Sequence, residues 1–276
     1  MDIPSGILLH AFRIPVPGVQ KKVIYHFSDI HLTLWDSLSG PEEIRKAKEG
    51  VEGWNGTRSW FANHYGEPDA PAQHKSAPEH FSDLLNLAQS GDALVMAGDI
   101  CDYVNGPNLR YLEQKLEAFP APWLAVCGNH DLARDIPEGY LYSRIRQPVQ
   151  VLDLGDLLLV GLDDSQRTIT PEQNRQLQQL LSLGKPMILV LHIPIMTEGN
   201  RELLLSCGEY FRLNHSEADE ETLKFIDLLQ HNTDKIAAVL AGHLHFHNEC
   251  EIAPGLTQYV SSQGILGNIN RYELGE

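Results

Sequence analysis

Five short apolar runs constrain this chain more than any other feature, because each has the length of a β-strand and each ends abruptly in acidic, amide or imidazole side chains. They are "VIYHF" at 23–27, "ALVMA" at 93–97, "WLAVC" at 123–127, "MILVL" at 187–191 and "IAAVL" at 236–240. Runs apolar on both faces suit strands covered on both sides. Helical patterns separate them. One opens at Thr170, with Pro171 at the first helical position, Gln173 completing a capping box, Leu177, Leu180 and Leu181 on one face, and Gly184 at the end. Another is predicted to open at Ser216, with Asp219 three residues on and Leu223, Ile226 and Leu229 facing inward. Alternating strand and helix predict an α/β protein of layered sheets. The pairs 149–154 and 157–163, around Gly155 and Asp156, read as a hairpin, and a second hairpin-rich stretch begins after residue 247.

The chain of 276 residues is long enough to bury a sizeable core. We read 1–276 as one domain. The segment 33–89 is too long for a simple loop and is predicted to be a helical, cap-like insertion, with helices near 41–63 and 79–89. Its aromatic residues Trp54, Trp60, Phe61 and Tyr65 invite a lid over a nucleobase, although packing of an inserted helix is the reading we favour. A formal net charge of −16 repels phosphate backbones, which argues against long nucleic acid and for a small substrate. No run has membrane-spanning length, and "MDIPSGILLHAFRIPVPG" lacks the basic and apolar regions of a signal peptide, so a cytoplasmic protein is expected. The four cysteines, Cys101, Cys127, Cys207 and Cys250, form no CxxC and are expected to be reduced, with Cys101 and Cys127, near the proposed ions, read as packing residues.

The polar segments at the ends of the apolar runs carry the chemistry: "SDIH" (Asp29, His31), "GDICD" (Asp99, Asp102), "GNHD" (Asn129, His130, Asp131), "HIP" (His192) and "GHLH" (His243, His245). The C-terminal ends of strands in an α/β sheet gather along one edge, where such folds place ligands. Crowded carboxylates and imidazoles need cations. Seven candidate donors, Asp29, His31, Asp99, Asn129, His192, His243 and His245, exceed one tetrahedral site and fit two ions if a carboxylate bridges. Nitrogen and oxygen donors without thiolate suit Mn, Fe or Zn. Gly98, Gly128 and Gly242 stand where a tight turn or a close backbone approach would aim the next side chain. Asp29 with His31, and His243 with His245, are two residues apart, so extended backbone would point each pair the same way.

In this order, D-x-H, G-D-x-x-D, G-N-H-D, a single His and G-H-x-H, the chain resembles the calcineurin-like metallophosphoesterases. The resemblance implies a four-layer α/β/β/α sandwich of two mixed sheets flanked by helices. It implies that Asp29, His31 and His245 hold one ion, that Asn129, His192 and His243 hold the other, and that Asp99 bridges them. The implied function is metal-dependent hydrolysis of a small phosphodiester or phosphomonoester, nucleotides included, with a metal-bound hydroxide as nucleophile. His130 would then act on the departing oxygen and Asp102 would orient it. The stretch "HAFRIPVPGVQKKVIYHFSDIHL" also looks like the opening strand pair of bacterial members. Tyr103 stands where members with protein substrates commonly carry Arg, and Cys127 where proline is frequent. The competing reading, a non-catalytic metal-binding scaffold on the same fold, is disfavoured because no matched ligand is missing. His10, His26, His64, His74, His80, His215 and His231 have no partner pattern and are read as structural or surface residues. His247 continues the alternation of His243 and His245; packing, not substrate contact, is expected of it.

Overall fold

A computed structural model describes residues 3–65, 75–131 and 141–275. Its first sheet contains β1 (Leu8–Ile14), β2 (Lys22–Phe27), β3 (Ala93–Ala97), β4 (Trp123–Val126) and β11 (Asn268–Leu274), in the order β1-β11-β2-β3-β4. The second contains β5 (Val149–Asp153), β6 (Leu158–Leu162), β7 (Met187–Val190), β8 (Ile236–Ala241), β9 (Asn248–Ala253) and β10 (Leu256–Val260), in the order β5-β6-β7-β8-β10-β9. Both sheets are mixed: β2, β3 and β4 run parallel while β11 is antiparallel to β2, and β6, β7 and β8 run parallel while β5 and β9 are antiparallel edges. All five apolar runs contain strands.

The layers arise from burial on both faces. Ile24, Val95 and Val126 of the first sheet meet Leu159, Ile188, Val190 and Leu240 of the second in a buried apolar seam. On the outer side of the first sheet, Tyr25, Phe27, Leu94 and Met96 receive Phe81 and Leu84 of α2 (Ala77–Ala88) and Leu112 and Leu116 of α3 (Gly106–Glu117). On the outer side of the second, Leu158 and Val160 receive Leu177 and Leu181 of α4 (Pro171–Leu181) and Phe225 and Leu229 of α6 (Glu220–Gln230). Burying each such side chain is worth about 1.5–3 kcal/mol. The result is the α/β/β/α sandwich. The longest helix, α1 (Pro41–Tyr65), and the short α5 (Arg201–Cys207) lie outside this plan. No helix among the described residues is long and apolar enough to cross a membrane.

Local chemistry sets the helix ends. Thr170 caps α4 with the capping box its sequence calls for, Gln173 Oε1 accepting from the Thr170 amide at 2.8 Å. α6 departs from expectation: Asp219, not Ser216, is its N-cap, accepting from Thr222 N at 2.8 Å, and Leu223 points to solvent. The Ser216 amide is engaged instead by Glu209 Oε2 at 2.7 Å. Both hairpins form, around Gly155 and Gly255, each with positive φ. A further departure concerns the opening strand pair. β1 and β2 do not pair with each other; β11, from the other end of the chain, lies between them. Nothing local in residues 8–27 encodes that insertion.

Candidate metal centre

Parallel register brings the polar motifs together. Phe27 lies beside Met96, Ala97 beside Val126 and Val190 beside Leu240, so the segments after β2, β3, β4, β7 and β8 leave the two sheets at one edge. There the backbone of one motif braces the next: Asp29 N donates to Gly98 O at 3.0 Å, His31 N to Asp99 O at 3.0 Å, and Gly242 N to His192 O at 2.9 Å. Contacts between motifs of the two sheets complete the frame, with His192 Nδ1 at 2.8 Å from Ala97 O and His243 N donating to Asp29 Oδ2 at 3.0 Å.

The local conformation differs from the extended alternation expected of D-x-H and H-x-H. Asp29, His31, Asp99, His243 and His245 all adopt left-handed backbone, with φ of 55°, 50°, 51°, 69° and 62°. Each such non-glycine residue costs of order 1 kcal/mol or more and persists only where surrounding contacts impose it. The paired side chains converge through two left-handed residues flanking one ordinary residue, not through strand pleating. Close approach explains all three glycines: a Cβ on Gly128 would overlap the Asp99 carboxylate and amide, one on Gly98 the His192 ring, and one on Gly242 the Ser28 side chain.

Two clusters result. In the first, Asp29, His31, Asp99 and His245 bring ligand atoms together. His31 Nε2 is 3.1 Å from His245 Nε2, and Asp29 Oδ1 stands 3.3 Å from His245 Nε2 and 3.9 Å from His31 Nε2. In the second, Asp99, His192 and His243 converge, and Asn129 Oδ1 is 3.1 Å from His192 Nε2. Asp99 faces both, its Oδ2 lying 3.9 Å from His31 Nε2 and 3.4 Å from His192 Nε2. All of these residues except the half-buried Asn129 are buried.

The electrostatics favour cations here. Burial pushes the Asp29 and Asp99 carboxyls up, but His245 beside Asp29 and His192 beside Asp99 outweigh it and hold both below the usual carboxylate range. Burial pushes His31 and His243 down to about 3, keeping both imidazoles neutral, the form that donates a lone pair to a metal. Burial would lower His192 too, yet Asp99 raises it to about 10. Positive charge is therefore stabilised beside Asp99. The second nitrogens are fixed as metal-binding histidines require: His192 Nδ1 by the Ala97 carbonyl, and His243 Nε2 by the Tyr210 carbonyl at 3.2 Å. Asp29 Oδ1, fully buried, has no hydrogen-bond partner although it faces two imidazoles. A donor set of four imidazoles, two ionised carboxylates and one amide, without a thiolate, fits a pair of transition-metal ions.

Beside these clusters, His130 Nδ1 lies 3.1 Å from both Asp102 Oδ1 and Asp102 O. Burial lowers His130, but the Asp102 carboxylate and the Asp99 charge outweigh it and raise it to about 9. The His130 ring meets His31 edge-on at 4.8 Å between centroids.

Sequence reasoning leaves other residues of the site unassigned. Asp131 is a buried clamp: it accepts from Cys101 N and Gly128 N, both at 2.9 Å, and so ties the second motif to the third. Asp164 belongs to none of the five motifs. Fully buried, it accepts from His192 N at 2.8 Å and Ile193 N at 2.9 Å. A signal for it exists in the sequence, since it comes after the apolar run "LLLVGL" as the other acidic residues come after theirs. Trp54 packs on the core of the first sheet as favoured, and its ring also stacks on His31. Trp60 is exposed, and the side chains of Phe61, His64, Tyr65 and His74 lie outside the described residues. His247 stacks on His10 and Phe12, and His26 and His80 are buried in the fold. None of the four cysteines belongs to either cluster.

The profile of the family described as "Calcineurin-like phosphoesterase" matches residues 22–247. No curated protein matches the sequence. Among solved structures, a dimetal phosphatase from Danio rerio superimposes with a TM-score of 0.54 at 12% identity, over 91% of this chain and 88% of that one. A purple acid phosphatase isolated from seeds of yellow lupin (Lupinus luteus) superimposes with a TM-score of 0.52 at 15% identity, over 92% of this chain but only 46% of that longer one. At such identities these two likenesses speak for the fold.

Proposed function

The chain belongs to the calcineurin-like phosphoesterase family and is a metal-dependent phosphoesterase; from that premise we propose that it hydrolyses small phosphodiesters or phosphomonoesters, nucleotides among them. Asp29, His31 and His245 would hold one ion, Asn129, His192 and His243 the other, and Asp99 would bridge them. The observation that carries this reading is the position of Asp99, whose carboxylate faces His31 on one side and His192 on the other. When bound, two such ions supply Lewis acidity toward the phosphoryl oxygens and bring the ionisation of water near neutral pH.

The chain's own groups account for the rest. With Nδ1 engaged by Asp102, His130 has Nε2 left to carry a proton to the departing oxygen, a role worth about 10²- to 10⁴-fold in rate. Asp131 and Asp164 hold the loops carrying Asn129, His130 and His192 by their amides, so the donors are positioned before substrate arrives. The net charge of −16 supports a small substrate over a long polyanion. The absence of thiolate from either cluster supports Mn, Fe or Zn. Buried free thiols at Cys127 and Cys250 support a reducing, cytoplasmic setting. We read 1–276 as one domain carrying 33–89 as a cap-like insertion; α1, which stands apart from the four layers, supports that reading, whereas α2 at the end of the segment packs in the outer layer of the first sheet.

The test is turnover of aryl phosphodiesters and phosphomonoesters by protein loaded separately with Mn, Fe, Co or Zn, alongside elemental analysis. Metal-dependent turnover of either ester class is expected. No turnover with any of the four metals overturns the reading.

A further inference from the structure

The insertion reaches the metal centre. On α1 (Pro41–Tyr65), Ala47 is fully buried, and Gly50 and Trp54 come next at helical spacing on the same side. A Cβ on Gly50 would stand 3.0 Å from Thr33 Cγ2 and 3.4 Å from Asp102 Oδ2, so the helix backbone lies directly on the segments after His31 and Asp99. Lys46 Nζ, 4.4 Å from the centroid of the Tyr103 ring, anchors the helix to the second motif. One turn beyond Gly50, the Trp54 ring stacks on His31 at 3.7 Å between centroids and 24° between planes. It also flanks His245 at 5.4 Å and His130 at 5.9 Å.

His31 needs such a neighbour. Its buried Nδ1 has no hydrogen bond, and the nearest carboxylate oxygen there, Asp102 Oδ1, is 3.9 Å away. His192 and His243 each have one ring nitrogen fixed by a backbone carbonyl; His31 does not. Rotation of the His31 ring about χ2 is limited by the indole lying on its face, because turning the imidazole out of that plane would drive it into Trp54. We propose that Trp54 is a positioning residue of the metal centre, taking for His31 the place that a backbone carbonyl takes for His192 and His243, so that the inserted helix completes the first cluster. This rests on the reading that His31 holds an ion.

The test uses Co²⁺ alone, titrated into chelator-treated full-length protein and followed by its visible d–d absorbance, with far-UV circular dichroism as the control for folding. Loss of a group that orients a metal-binding histidine weakens affinity by about 10- to 100-fold, and W54L is expected to show a loss of that order with an altered Co²⁺ spectrum. W54F, which keeps an aromatic face on His31 but no N–H, is expected to retain most of the affinity and the native spectrum. W54M supplies a second non-aromatic variant should W54L be insoluble. A folded W54L or W54M that binds Co²⁺ with unchanged affinity and spectrum overturns the proposal and leaves the metal reading intact. Failure of the unsubstituted protein to bind Co²⁺ overturns both.

Discussion

His31 and His245, 214 residues apart in the chain, bring their Nε2 atoms to 3.1 Å of each other beside the buried carboxylate of Asp29. Two imidazole nitrogens gain little by facing one another in a buried pocket. A shared cation gives both a partner at once. The strained backbone at both residues shows that the fold holds them there against local preference.

Asp99 joins the two clusters, so Asp99→Asn is the substitution that separates them most cleanly. It keeps the side chain's shape while removing the charge that faces His31 and His192. Bound metal is expected to fall from two ions per chain to one or fewer, and kcat by about 100-fold or more. Elemental analysis of dialysed protein, with steady-state kinetics, checks both.

Asp102 touches His130 and is not among the seven proposed donors. Asp102→Asn is therefore expected to leave metal content unchanged and to lower kcat by at least about tenfold, short of the roughly 10²- to 10⁴-fold lost when a positioned acid is removed altogether. An unchanged kcat would remove Asp102 from the orienting role.

Gly128→Ala places a methyl group against Asp99 and the backbone beside it. Overpacking of this kind costs about 1–3 kcal/mol. A lower midpoint in urea and weaker metal retention should appear together, since the displaced group is the proposed bridge. An alanine variant as stable as the parent would show that the loop relaxes freely.

His26, which is not a proposed donor, gives a pH signature of its own. Burial, partly opposed by Asp29, holds it neutral in the folded chain with its pKa lowered to about 3 from 6.5. Below 6.5 the unfolded chain takes up a proton that the native chain refuses, so this contribution is intact above 6.5 and is lost as pH falls toward 3. In chelator, His26→Gln should reduce the fall of stability over that window by up to about 1.4 kcal/mol per pH unit. Urea unfolding of both proteins at a series of pH values measures it.

The sequence alone determined the types of donor and their order along the chain, because strand-length apolar runs, helix caps and turn glycines act over a few residues. The five motifs and the capping box of α4 were legible for that reason. Tertiary structure decided the rest. The insertion of β11 between β1 and β2 depends on pairing across most of the chain. The left-handed backbone at Asp29, His31, Asp99, His243 and His245 is disfavoured locally and exists only because neighbouring motifs hold it. Trp54 reads as an ordinary helical aromatic until α1 is laid against Asp102, and only that docking, between segments the chain does not order locally, sets it on His31.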